Sequence, residues 1–522
     1  MRIPEIRLVS CCALLTAAAL TLPAQQPRLG TIDFPTSAGA KAQAEFIAGV
    51  LYMHSFEYPS AAAAFKRAEA LEPAFAMAYW GEAMTYTHPV WNEQDTAAAR
   101  AALRRLATTR SARLAKAPTA RERAYLEAVE VLYGDGPKAT RDTAYSAAMA
   151  HVAATYSGDA EAQAFYALSL LGLNQGQRDV PTYMRAGAIA ESLFVAHPQH
   201  PGAAHYVIHA FDDPIHAPLG LRAARAYSQI APDAAHAQHM TSHIFLALGM
   251  WDETVHANEI ATTATRDRSG SWARASCGHY GEWLQYGYLE QGRPGAAAQL
   301  LDECRQQAVA RSAPGANESV ILMRAVQIVD GGDWNGAAVH MRIDTAGGDA
   351  LDRALLHFGT AYAASKRGDT ATARAESAAL TKLTMANSED LGYIQICARE
   401  IDALVALQNG GSDRSLSALR RAVAIEDSLP VAFGPPLDVK PPRELLGEVL
   451  LGLGRAAEAQ HELERQLGRT PRRASTLLAL AHAAGAAGKP AVSESAYADL
   501  TRAWHGAEPN VAQILKGWRP GT

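Results

Sequence analysis

Cysteine is scarce and scattered: the 522-residue chain has five, and two of them, Cys11 and Cys12, sit in an apolar leader. The other three, Cys277, Cys304 and Cys397, include no CxxC pair, which excludes a disulfide framework and a thiolate metal knuckle. One bridge among the three stays open, and spacing does not say which. Charge of one sign is missing too. With 48 Lys and Arg against 53 Asp and Glu, the net charge is -5, and no basic stripe exists to neutralise phosphates, so nucleic acid is not an expected partner. Aromatics are 7% of residues, and no alternating strand pattern appears. HExxH, GxSxG, GxxxxGK and CxxCH are all absent, so the common hydrolase, nucleotide and haem signatures give no support.

The only long apolar run is near the start, MRIPEIR then LVSCCALLTAAALTL then PAQQ. A basic start, a short apolar stretch and a small residue at Ala24 read as a signal peptide over residues 1–24, and hence a periplasmic or secreted protein. The run is shorter than the roughly 20 residues a bilayer span needs, so no stable span is expected after cleavage.

From about residue 40 the chain reads as Ala- and Leu-rich amphipathic helices with Gly, Asp or Pro breaks, which makes it all-α. A glycine ending one helix recurs with a small residue five positions on, as at Gly249, Gly292, Gly332, Gly368, Gly454 and Gly488. Gly454 to Gly488 and Pro198 to Pro232 are each 34 residues apart. On that period, and on LEPAFAMAYWGEA, LGMWDETVHANEIA, LEQGRPGAAAQLL and LGRAAEAQHELERQLGRTP, the chain resembles the tetratricopeptide repeat family. AMAYWGEAM, HYVIHAFDDP and HAQHMTSHIF further resemble a group of exported bacterial members, a likeness that implies a fold and not a reaction. The fold implied is an α-solenoid, a right-handed superhelix of helix-turn-helix repeats. Its expected parts are a flexible segment at 25–39, a main array at 40–427, a proline-rich loop at 428–442, two last repeats at 443–505 and a tail at 506–522.

The resemblance also implies that the second, fifth, ninth, twelfth and thirteenth positions of each first helix face a concave groove. Registers anchored on Gly249, Pro198, Pro232 and Gly292 put His205, His209, His236, His239, His243 and His279 on that face, with Asp212, Asp213, Glu282 and Tyr286 beside them. His54, Trp80, His88 and Glu448 are expected to line the groove elsewhere, while Glu444 reads as favouring a helix N-terminus. His205 with His209, and His239 with His243, are four apart and share a helix face, so each pair can pinch one ion.

The six histidines are therefore the candidate ligands of one transition metal or a two-metal centre. Zn, Cu, Fe and Ni all suit imidazole, and the four residues beside them are candidate extra ligands or orienting partners. His197, His200, His216 and His256 fall off the face and read as ordinary packing or hydrogen-bonding residues, as do Trp251 and Phe211. The functional expectation is a metal-binding groove, hydrolytic or oxidative if catalytic, that admits a small molecule or peptide. The alternative is a scaffold holding a peptide or partner helix, with the histidines as polar contacts.

Overall fold

The computed structural model describes residues 27–174, 178–264, 275–311, 317–345, 348–384 and 390–517. The expected leader lies outside them. Among the described residues there are 26 α-helices and one two-residue pair of strands, Thr87–His88 with Glu93–Gln94. No described helix is long and apolar enough to cross a membrane.

Helices pack on their sequence neighbours as antiparallel hairpins, Ala40–His54 on Tyr58–Leu71, Ala235–Ala247 on Trp251–Ala264, Leu391–Gln408 on Ser412–Ser428. The architecture is an all-α solenoid of stacked hairpins. Each of the six glycines singled out above has a positive φ, from 64° at Gly249 to 77° at Gly368, as a tight helix-ending turn requires. At Gly249 the need is double, since a Cβ there would come within 2.4 Å of the Pro471 carbonyl oxygen.

The solenoid curls back on itself in two lobes. In the first, one continuous core runs from Leu29 to Ala247; in the second, another runs from Leu246 to Trp504. The helix Ala235–Ala247 contributes to both, so the division of the core falls there and not at the proline-rich loop. That loop lies inside the second lobe: it follows Ser428, and Leu445 and Leu446 just beyond it share a core with Val320 and Phe358. Residues 27–39 are not a loose segment either. Leu29 and Phe34 are buried, Thr31 donates to the Gln199 carbonyl, and Gln43 donates to that of Phe34.

This chain fills what a simple array would leave as a groove. Trp80, expected to line that groove, is fully buried against Phe34, Tyr125 and Phe165. Closure also brings Ala40–His54 against Pro201–Ala210, far apart in sequence.

Candidate metal centre

Two helices carry five of the six histidines, and a third begins with the last. Pro201–Ala210 starts with a proline that suits the first helical turn and is capped by His200, whose Nδ1 accepts from the Ala203 amide at 3.1 Å. His205 and His209 follow on one face. Ala235–Ala247 presents His236, His239 and His243, and His279 opens the helix His279–Glu290. The segment before His279 is held by a disulfide between Cys277 and Cys304, while Cys397 is buried and free.

The structure sorts the six into two triads. Ligand atoms of His205, His209 and His236 lie within 4.8 Å of one another, and so do those of His239, His243 and His279. The triads adjoin: ring centres are 6.0 Å apart for His209 and His243, and 6.1 Å for His236 and His239.

The hydrogen bonds assign the tautomers. In the first triad, His205 Nδ1 is 2.7 Å from the His54 carbonyl oxygen and must donate to it, leaving Nε2 as a lone pair. Nε2 of His205, His209 and His236 are all buried without a hydrogen-bond partner. Burial pushes the His205 imidazolium down to about 3 and those of His209 and His236 well below the ordinary value, with neighbouring imidazoles adding to the effect. Three rings held neutral converge with Nε2 atoms that no protein group engages, an arrangement that suits a metal ion.

In the second triad, His243 Nδ1 meets the Asp212 carboxylate at 2.6 Å, and His239 Nδ1 meets Asn258 Oδ1 at 2.6 Å. Asn258 Nδ2 donates to the Thr254 carbonyl at 2.8 Å, which fixes its oxygen toward the imidazole. Both Nδ1 atoms are therefore donors. The two Nε2 atoms face each other at 3.0 Å. A cation or a proton must lie between them, and burial keeps His239 from supplying the proton, holding its imidazolium well below the usual range.

Aromatic rings wall the site. Phe56, whose φ of 55° is strained for a bulky residue, puts its ring against His205, His209 and His236. Trp283 covers His239 and His243, and Phe433 from the proline-rich loop lies 5.6 Å from His243. A cavity of about 570 Å³ opens on His236 and His279 between Phe56, Tyr58, Trp91 and Tyr280. A second, of about 290 Å³, reaches His209 and Asp212 from the side of the loop.

The expected companions fare unequally. Asp212 orients His243. Asp213 is drawn away by Arg178 at 2.9 Å and His216 at 2.8 Å, and caps the turn before the next helix. Glu282 hydrogen-bonds Ser319, and burial raises its carboxyl. The Tyr286 hydroxyl accepts from Arg473 at 3.0 Å in a buried ion cluster of the second lobe, where Arg473 also holds Glu444 at 2.9 Å, Glu290 at 3.1 Å and Asp330. Glu444 is thus a buried ion partner and not a helix-end charge. Glu448 pairs with Lys440 and Lys366, so it too lies away from the histidines. His88 stacks on Tyr58 at 4.1 Å at the rim of the larger cavity.

His54 is not a groove residue but the centre of a third group. Its Nε2 is 2.7 Å from Glu161, its Nδ1 is 2.8 Å from the Tyr206 hydroxyl, and His200 Nε2 reaches the other Glu161 oxygen at 3.1 Å. Burial opposes the Glu161 charge, yet the two imidazoles outweigh it and hold the carboxyl well below the usual range. Every polar atom of that group has a partner. Because His200 Nδ1 accepts a backbone N–H, its Nε2 carries the proton, and the group offers no free lone pair to a metal. Sequence spacing missed Asn258, Glu161, Phe56 and Phe433, since none lies on a helix with the ligands, whereas Trp283, four residues after His279 on one helix face, was within its reach.

No family model matches the chain, and no curated protein matches it. Among solved structures, a human IFIT1 dimer with m7Gppp-AAAA is similar over 91% of each chain, at 13% identity and a TM-score of 0.37. The Cut9 and Hcn1 hetero-tetramer of APC/C is similar at 11% identity and 0.31, over 92% of this chain and 96% of that one. Likeness of this degree says nothing of ligand or partner.

Proposed function

We propose that this protein binds two transition-metal ions, one in each histidine triad, as an adjoining pair at the junction of its lobes. The observation that carries this reading is the approach of the His239 and His243 Nε2 atoms to 3.0 Å, next to three further Nε2 atoms with no partner. Leaving that many buried acceptors unsatisfied is costly, at about 1–3 kcal/mol for each group, whereas metal coordination uses all of them. Three imidazoles per ion leave a coordination position open, and the larger cavity gives a small molecule access to both triads. We therefore read the centre as catalytic.

A peptide-holding scaffold fits less well. His205, His209, His236, His239 and His243 are buried beneath Phe56, Trp283 and Phe433, out of reach of an extended chain. Export to an oxidising compartment belongs to the same reading, supported by the Cys277–Cys304 bridge.

The test is elemental analysis of untagged protein purified without chelator. Two ions per chain are expected, and none in the His205→Ala, His239→Ala double variant with helix content unchanged. Metal-free wild-type protein that also fails to take up added Zn, Cu, Fe or Ni overturns the reading.

A further inference from the structure

We propose that the two ions are copper and that the pair takes up dioxygen to oxidise a single-ring aromatic diol seated in the larger cavity. This rests on the two-ion reading above and goes beyond it in naming the metal and the substrate class.

Charge selects the metal. All six ligands are imidazoles; the Asp212 carboxylate meets the His243 ring, and the Glu57 carboxyl, raised by burial, accepts from the His236 amide at 3.2 Å. Two divalent ions would place four positive charges in this buried centre against at most two negative groups, Asp212 and Glu57. Two Cu(I) ions place two, at a far smaller cost of desolvation, and three imidazoles suit them as ligands.

Charge also selects the reaction. Metal-assisted hydrolysis needs a base for the attacking water, and the nearby carboxylates already hold protein partners: Asp212 meets His243, Asp213 meets Arg178 and His216, Glu161 meets His54 and His200, Glu57 accepts from the His236 amide, and Glu93 meets His88. Dioxygen needs no base. Each Cu(I) gives one electron, and the resulting peroxide brings two negative charges to a centre then holding two Cu(II).

The cavity selects the reductant. Its lining is rich in rings: Phe56 stacks on Tyr58 with centres at 5.4 Å and Tyr58 on His88 at 4.1 Å, and Trp91 and Tyr280 line it as well. A flat ring seated against such a lining gains favourable offset or edge stacking. The Tyr58 hydroxyl is buried without a partner, available to a substrate oxygen, and His236 and His279 at the inner end carry the diol to the metals. A benzene-1,2-diol loses two electrons and two protons to become the quinone. Two diols reduce one dioxygen to two waters, and the copper pair returns to its starting state.

The experiment loads metal-free full-length protein with Cu(I) under ascorbate without oxygen, removes the excess, and then admits air. Expected are two coppers per chain, an intense near-ultraviolet peroxide-to-copper charge-transfer band, and consumption of one dioxygen per two molecules of benzene-1,2-diol. Trp91→Ala and Tyr58→Phe should keep both coppers and the band while raising KM for the diol on the order of tenfold. Two bound coppers with neither band nor oxygen uptake overturn this inference and leave the metal centre standing. Protein that binds no metal of any kind overturns both. A band with unchanged KM in the two cavity variants overturns the assignment of the aromatic cavity.

Discussion

The Nε2 atoms of His239 and His243 stand 3.0 Å apart, each imidazole turned to that position by a hydrogen bond from its other nitrogen, to Asn258 and to Asp212. Neither ring can rotate to relieve the contact without giving up its partner, so the lone pairs are held ready for a cation.

The two triads should load independently. His209→Ala removes a ligand from one and His279→Ala from the other, so each variant is expected to keep one ion of the two. Metal-to-protein ratios by mass spectrometry check this. Loss of both ions from either single variant would show one shared site.

Asp212→Asn keeps an acceptor on His243 Nδ1 but removes the negative charge that strengthens the imidazole as a ligand. Affinity at that triad should fall about 10- to 100-fold, read by chelator competition, with helix content unchanged. An unchanged affinity would mean that Asp212 serves only packing.

The third histidine group should behave as structure and not as a site. Glu161→Gln leaves two buried imidazoles with a poorer partner and should cost about 1–3 kcal/mol in unfolding free energy, seen as a lower melting temperature. Its metal content should stay at two ions, and a fall would assign metal to His54 and His200 after all.

Glu400 in the second lobe is wholly buried with neither oxygen partnered, and burial raises its carboxyl well above the ordinary range. A carboxyl raised on folding stays protonated in the native state while the unfolded chain ionises near 4.5. Its contribution is therefore whole below that value and is lost as pH rises toward the folded one. Asp438, raised to about 6, and Glu426, raised to about 7, act in the same direction. The buried histidines, held neutral, act in the opposite direction, so the test is the difference between two proteins: by urea unfolding, the change in stability from about pH 5 to pH 8 should be more favourable in Glu400→Gln than in the wild type by at least about 1 kcal/mol. Equal slopes would show that Glu400 is not the group responsible.

Much of the fold was legible because its signals are local. Gly249 and its five counterparts mark turns that need a positive φ, and helical period places His205 with His209 and His239 with His243 on common faces whatever lies around them. Period alone misplaced Trp80 and Tyr286. A residue on the inner face of an array lines a groove only if nothing fills it, and here the segment around Phe34 and the Arg473 cluster do. His54 failed as a groove residue for the same reason.

By itself, the sequence determined that the chain is a stack of helical hairpins, and which histidines share a ridge. Only the tertiary structure decided that His236 joins His205 and His209, that His279 joins His239 and His243, and that Phe56, Trp283 and Phe433 close over them. The reason is geometric. A helix face is set by residues three and four apart, but the curl that brings residue 54 to 205 and residue 433 to 243 is the sum of small rotations over many repeats, which no short stretch of sequence encodes.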